Sequence, residues 1–495
     1  MAMNREYSSD LPISTPADSY RAGHRPGQVM ADRLGGPPPL GGGGPEGCQT
    51  RHGVRTGDFE HMTQIEISHE SSPPRHAAPV EPAGMVEQRP SMGRLVGVDL
   101  ARALAVFGMF AVHVAPAPED VSGFSGRLLE LAFGRSSVLF ATLAGFSLML
   151  IAGRREPKAG LAGRQAKARI VIRALVLLVL GTALTILQNG ILVILAFYGV
   201  YFLLALPLVG LRARTLAIIA AVLAVVAPQA AFGLKQLLSA SLTQSINSYD
   251  PIARLGGDGL LGLLLNGTYP VITWMPYVIA GMALARLDLA AGVVQRRLVA
   301  LGAALMALGY GVAWLLPKLF PALQAHQAGP SEAEKASVKD LFANVDPSSL
   351  KPGSAAFEAI QANFNAIRDR LDASSNTALD LLRSDSHSGT TFDIVGSLGV
   401  AIVVLVCATV AMDRLPWLRR LVSPLVAVGT MSLTLYVAHV AAYAMLPDGA
   451  TKTFVPLFGF IAGAILFATV WSRFFRRGPL EYLLNSTTKL AKFVR

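Results

Sequence analysis

Three histidines and a small set of charged residues carry most of the chemistry this sequence offers. In GRLVGVDLARALAVFGMFAVHVAP, Asp99 and Arg102 stand three residues apart and His113 eleven further on, so a helix carries all three on one face. An ionisable side chain in an apolar segment is costly in lipid, which makes each one a candidate for function. For Asp99 and Arg102 the plain alternative is a self-neutralising pair at a helix start. A lone histidine is rarer in lipid than in a soluble core, so His113 is the stronger candidate. Of the nine histidines, five lie before residue 92 and His326 lies in a long polar stretch, leaving His113, His387 (DSHSGTTFDIVGSLG) and His439 (VGTMSLTLYVAHVAAYAML). These three are expected at similar depth near one side of the membrane. Imidazole, with a free pKa of about 6.5, suits deprotonation of a hydroxyl or amine near neutral pH. Metal binding is the other use of such a group, but no local spacing such as His-x₃-His supports it and no metal is expected.

Other polar residues open or interrupt apolar blocks. Arg135, Ser136 and Ser137 begin GRSSVLFATLAGFS, Gln188 and Asn189 sit in a tight turn, and Asp393 enters a later block. Tyr269 and Trp274 of NGTYPVITWMPY flank Pro270, and Pro276 follows. Both rings are expected as anchors at the membrane interface. Prolines here break a helix where freed backbone groups face protein or a cavity. No P-loop, GxSxG elbow or HExxH motif is present, so nucleotide-driven pumping, serine hydrolysis and zinc proteolysis have no support. Acyl transfer and transport remain.

The elements that must position these residues are membrane spans. The chain has 495 residues, 52% hydrophobic and only 15% charged, far from the roughly one-quarter charged of soluble domains. Apolar blocks run approximately 97–116, 137–153, 170–188, 190–211, 215–234, 268–287, 298–317, 391–412, 422–446 and 454–475. The sequence thus predicts an all-α polytopic membrane protein of about ten transmembrane helices. The net charge of +11 does not argue for nucleic acid, because the basic residues gather in alternate connections: Arg154 to Arg173, Arg212 and Arg214, Arg286 to Arg297, Arg414 to Arg420, and Arg473 to Arg495. By the positive-inside rule these connections, and with an even count both termini, are cytoplasmic in a plasma-membrane protein.

Residues 1–92, rich in Gly, Pro and Ser, read as a disordered cytoplasmic tail without a signal peptide. Residues 93–484 form the membrane domain and 485–495 a basic cytoplasmic end. The stretches 235–267 and 318–390 are long outer loops, and 354–384 has the spacing of an amphipathic helix. Cys48 and Cys407 offer no disulfide framework.

The runs RLVGVDLARALAVFGMFAVHV and GRSSVLFATLAGFSLML resemble the opening of the bacterial relatives of heparan-α-glucosaminide N-acetyltransferase, in the transmembrane acyltransferase superfamily. FYGVYFLLALPL, GTYPVITWMPYVIAGMALARLDL, HSGTTFDIVGSLG and GPLEYLL resemble later motifs of the same group, so the likeness covers about residues 94–484 outside the long loops. It implies transfer of an acetyl or other acyl group from cytosolic acetyl-CoA to an acceptor on the opposite face, a glycan or glycolipid of the cell envelope. Asp99, Arg102 and His113 match the Asp-x-x-Arg and later His pattern of the related O-acyltransferases, whose histidine serves catalysis. On this scheme His113, His387 or His439 removes the acceptor proton, while Asp99, Arg102 and Arg135 belong to the donor site. Asn189 or Tyr198 stabilises the oxyanion, and Tyr269 and Asp393 are further substrate candidates. Ternary-complex and acyl-histidine routes both stay open, as does a homodimer. Export of a lipid or small metabolite is the alternative function.

Overall fold

The structure is a computed structural model that describes residues 95–185, 191–250, 259–321, 323, 377–447 and 449–494. The tail 1–92, Gln188 and Asn189, His326, and the greater part of the loop 318–390 with its expected helix 354–384 lie outside the described residues. Of that helix, the end falls in a single 3₁₀ turn, Ala378–Leu382.

Among the described residues the chain is all-helical, with no strand. The principal helices are α1 (Val96–Val114), α2 (Gly123–Ala132), α3 (Arg135–Ala152), α4 (Gly160–Thr185), α5 (Leu195–Ala205), α6 (Ala213–Leu237), α7 (Ala240–Tyr249), α8 (Val271–Ala285), α9 (Gly292–Met306), α10 (Val312–Leu319), α11 (Thr391–Arg414), α12 (Ser423–Thr430), α13 (Ser432–Tyr443), α14 (Val455–Phe474) and α15 (Pro479–Thr487). Seven are long and apolar enough to cross a bilayer: α1, α2 joined to α3, α4, α6, α9 joined to α10, α11 and α14. The pair α12 and α13 meets that test together but bends by 82° between its halves. Two shorter apolar helices, Leu195–Gly210 and Val271–Ala285, complete the set. Each apolar block of the sequence coincides with one of these elements.

The two short helices stop where the backbone changes. After α5 the chain tightens into the 3₁₀ turn Leu206–Gly210, with Pro207 near its start. Helix α8 begins after Pro270, whose extended backbone (φ −65°, ψ 135°) keeps it out of the helix. All its residues except Ile272 are buried, because α3 and α6 pack along it and α5 and α11 also touch it. At fifteen residues it is only about 22 Å long, and protein rather than lipid surrounds it.

Helices in a bilayer gain little from hydrophobicity against one another, so close packing must come from small residues. On α3 and α8, Gly145 lies against the carbonyl of Val278, and Gly281 against that of Thr142. A Cβ at either would overlap that oxygen. Helix α1 packs against α3, α11, α12, α13 and α14. Gly429 of α12 presses on the carbonyl of Asp99, fixing the entrance of α1.

The connections gather at two ends of the bundle. At one, Arg286 donates to the carbonyls of Arg154 and Val209, Arg154 donates to the Ala285 carbonyl, and Arg155 pairs with Asp288. The segments following α3, α5 and α8 therefore meet. The Arg155 guanidinium holds the Asp288 carboxyl below the usual carboxylate range. At the other end, Arg135 donates to the carbonyls of Glu130 and Phe133 and to Ser386 Oγ, joining the α2–α3 junction to the segment before α11.

Candidate active site

The first span carries its polar stripe as spaced in the sequence. Arg102 Nη1 donates to Asp99 Oδ1 at 2.8 Å, and its Nη2 donates to Ser147 Oγ on α3 at 2.6 Å. The ion pair is therefore also an interhelical tie. Asp99 is buried and Arg102 only partly so.

Three turns further on, His113 meets His439. Nδ1 of His113 lies 3.0 Å from Nε2 of His439, and the rings stack at 5.2 Å with planes 5° apart. His439 is buried, with Phe110 and Tyr436 against its ring at 4.8 and 5.0 Å. A 3.0 Å contact between two imidazoles requires one nitrogen to donate and the other to accept. The pair can therefore hold one proton between its rings and pass another through His113.

His387 does not join them. It sits just before α11 in the left-handed region (φ 65°) and packs in an aromatic box. Trp274 stacks on it at 5.6 Å, with Tyr269 and Phe133 edge-on at 5.3 and 6.1 Å. Burial pushes this imidazole down to about 4, against the opposing effect of a backbone hydrogen bond at Thr268. Its Nδ1 is buried without a hydrogen-bond partner. Tyr269 and Trp274 are themselves buried, so they form this box and are not interface anchors.

A polar chain lies alongside. Arg135 Nε donates to Tyr310 Oη at 3.3 Å, Tyr310 Oη meets Ser397 Oγ at 2.9 Å, and Ser397 Oγ donates to Asp393 Oδ1 at 3.0 Å. Asp393 Oδ2 also accepts from the Gly389 amide at 3.4 Å. Tyr310 reaches this chain from the π-helical turn Ala307–Gly311, and Gly396 leaves room for its ring. Arg135 thus serves the opposite end of α3 from Ser147, roughly 18 Å away along the helix. It is not beside Arg102.

Between α1, α3, α4 and α5 runs a cleft with about 570 Å³ of empty space, part of it open to solvent. Along α3 its lining runs from Phe140 through Ser147, where Arg102 donates, to Ile151, and Arg173, Leu195, Tyr198 and Leu484 complete it. The remaining lining residues are apolar except Ser432 at the start of α13. The hydroxyl of Tyr198 is buried with no hydrogen-bond partner, an expensive condition for a polar group unless something else comes to it. Beyond Tyr198, Phe140 stacks between two rings, Tyr198 at 5.6 Å and Tyr436 at 6.1 Å. Tyr436 in turn touches His439.

The helix that bears His439 is held from below. Glu481 Oε1 accepts from the amides of Leu433 and Thr434 at 2.7 and 3.2 Å, and Oε2 accepts from Thr434 Oγ1 at 2.6 Å. A carboxylate from α15 thereby caps the N-terminus of α13 at the 82° bend. Ser147, Phe140, Tyr310, Tyr436 and Glu481 are not singled out by the sequence, and Arg173 stands there only among the basic residues of a connection. A lone hydroxyl or cation inside an apolar run, as at Ser147, Arg173 and Tyr310, was the available signal. Among the described residues no three His, Cys, Asp or Glu side chains gather as metal ligands.

Residues 94–311 match the family model described as heparan-alpha-glucosaminide N-acetyltransferase, catalytic. Residues 373–491 match that described as protein of unknown function (DUF418). No curated protein and no solved structure matches the chain. His113, Arg102, Arg173 and Tyr198 fall in the first match, His439 and Glu481 in the second, and the histidine contact joins the two. Over residues 94–311 the chain is therefore similar to the heparan-α-glucosaminide N-acetyltransferase catalytic family, and that stretch lies in a bundle of membrane-length helices.

Proposed function

We propose that the protein transfers an acetyl group from cytosolic acetyl-CoA to a sugar hydroxyl or amine of an envelope glycan or glycolipid on the outer face of the plasma membrane. The observation that carries this reading is the cleft, lined by the cations Arg173 and Arg102, by largely apolar walls, and by Tyr198, whose buried hydroxyl has no hydrogen-bond partner. That sequence of surfaces suits an anionic donor with a long arm and a carbonyl at its tip. Ten crossings with both termini cytoplasmic require the bent pair and the two shorter apolar helices each to cross beside the seven long spans. The meeting of the arginine-rich connections at one end of the bundle supports the same orientation.

In this mechanism the thioester carbonyl lies at the ring stack of Tyr198, Phe140 and Tyr436, the acceptor oxygen or nitrogen attacks it from the His439 side of that stack, and its proton passes to His113. His439 orients that ring and shares the charge. The Tyr198 hydroxyl donates to the oxygen that becomes negative. The C–S bond then breaks, and the thiolate takes the proton held by His113 and leaves as coenzyme A. Asp99 holds the Arg102 guanidinium toward the cleft, and the His387 box with Asp393 belongs to the acceptor side.

The test is binding of acetyl-CoA by the purified protein in detergent, with mass spectrometry of envelope glycans from a deletion strain. Saturable binding and loss of an acetyl group support the reading; absence of binding refutes it. Export of a small metabolite or lipid is the second reading, favoured by the broken pair α12 and α13. It predicts transport into vesicles without any use of acetyl-CoA.

A further inference from the structure

The far end of the cleft is closed by rings in a definite order. Phe140 and Tyr198 both line the cleft, and Phe140 stacks on Tyr198 and on Tyr436 with interplanar angles of 24° and 17°. Neither Tyr436 nor either histidine of the pair lines the cleft. Phe140 therefore stands between the cleft and the ring that touches His439. Along α3 the cleft residues Phe140, Leu143, Ala144, Ser147, Leu148 and Ile151 form one stripe, about 16 Å from first to last.

Of the three rings, Phe140 has the fewest obligations. Tyr436 Oη accepts from the Ile194 amide at 3.2 Å, and Tyr198 lines the cleft and carries a buried hydroxyl without a hydrogen-bond partner. Phe140 has no polar atom and offers only bulk. We propose that Phe140 is the specificity-determining residue that fixes the length of the transferred acyl group, by ending the cleft just past the carbonyl position at Tyr198. This rests on the reading of the cleft as the acyl-CoA site. A two-carbon acyl group fits beneath the ring stack, whereas each further methylene must displace Phe140 from between two tyrosines. One methylene is worth about tenfold or more in discrimination at an apolar wall, and a wall that must break two ring contacts discriminates further. Replacing the ring by a small side chain opens the cleft toward Tyr436 and lets a longer chain enter.

The experiment compares acetyl-, butyryl- and hexanoyl-CoA, measuring binding and release of free coenzyme A in the full-length protein, its Phe140→Ala and its Phe140→Leu variants. The wild type is expected to prefer acetyl- over hexanoyl-CoA by at least about a hundredfold in kcat/KM, with Phe140→Ala cutting that ratio at least about tenfold and Phe140→Leu falling between. A wild type that uses hexanoyl-CoA as well as acetyl-CoA overturns the inference without any variant, which covers the case of a variant that does not fold. A wild type selective for acetyl-CoA whose selectivity survives both substitutions overturns it too, while leaving the acyltransferase reading in place. If no acyl-CoA binds, the acyltransferase reading itself fails and this inference falls with it.

Discussion

His113 and His439, 326 residues apart in the chain, stand with Nδ1 and Nε2 3.0 Å apart and their rings parallel within 5°. Two imidazoles in such contact act as one proton-handling unit, so their substitutions should not add. His113→Ala and His439→Ala are each expected to lower coenzyme A release at least about a hundredfold, and the double variant to be no worse than His113→Ala alone. Steady-state kinetics of the three variants check this. Losses that multiply would show two independent roles.

The Tyr198 hydroxyl has no partner to lose. Tyr198→Phe should leave the thermal unfolding midpoint unchanged or slightly raised, because removing an unsatisfied buried hydroxyl relieves a cost. If the group stabilises an oxyanion, kcat falls roughly a hundredfold with little change in KM. A fall in midpoint of several degrees at constant kcat would mean that the hydroxyl serves the fold instead.

Much of the fold could be read from hydropathy, and the reasons for the exceptions are local. The apolar runs around α5 and α8 extend beyond the helices, because Leu206–Gly210 tightens to 3₁₀ and Pro270 holds α8 back. Hydropathy does not register either event. The Asp99–Arg102 pair was legible because both residues sit on one helical turn. The contact of His113 with His439 depends on how α1 and α13 are placed, which no local pattern encodes. His387 shares their type but lies in a loop whose left-handed residue and buried aromatic neighbours come from distant segments. The sequence pointed to Trp274 and Tyr269 as interface residues because rings near span ends usually are; here Tyr201 donates to the Tyr269 carbonyl at 2.6 Å and both rings close around His387.

Glu481 reaches from the C-terminal helix to cap α13, which carries His439. Glu481→Ala is expected to cost about 2 kcal/mol by leaving the Leu433 and Thr434 amides and the Thr434 hydroxyl without their acceptor. Glu481→Gln, which keeps one acceptor oxygen, should recover part of that loss. Thermal unfolding of the two variants in one detergent gives the ranking, and equal stability of both with the wild type would remove the cap from the account.

His387 makes stability depend on pH. Its folded pKa of about 4 lies below the unfolded value of roughly 6.5, so the unfolded chain takes up the proton first as the solution is acidified. The contribution is fully present above about pH 6.5 and is lost progressively down to about pH 4. Unfolding midpoints should therefore drop between pH 7 and 5 in the wild type, and less steeply in His387→Phe. Parallel pH profiles for the two proteins would contradict the buried, neutral state of this ring.

Acyl transfer from acetyl-CoA at the histidine pair is read by release of free thiol from acetyl-CoA by the purified wild type and by His113→Ala. The wild type is expected to release thiol, and His113→Ala to do so at a rate lower by at least about a hundredfold with acetyl-CoA still bound. No thiol release by the wild type in the presence of envelope glycans, or equal release by His113→Ala, would contradict it.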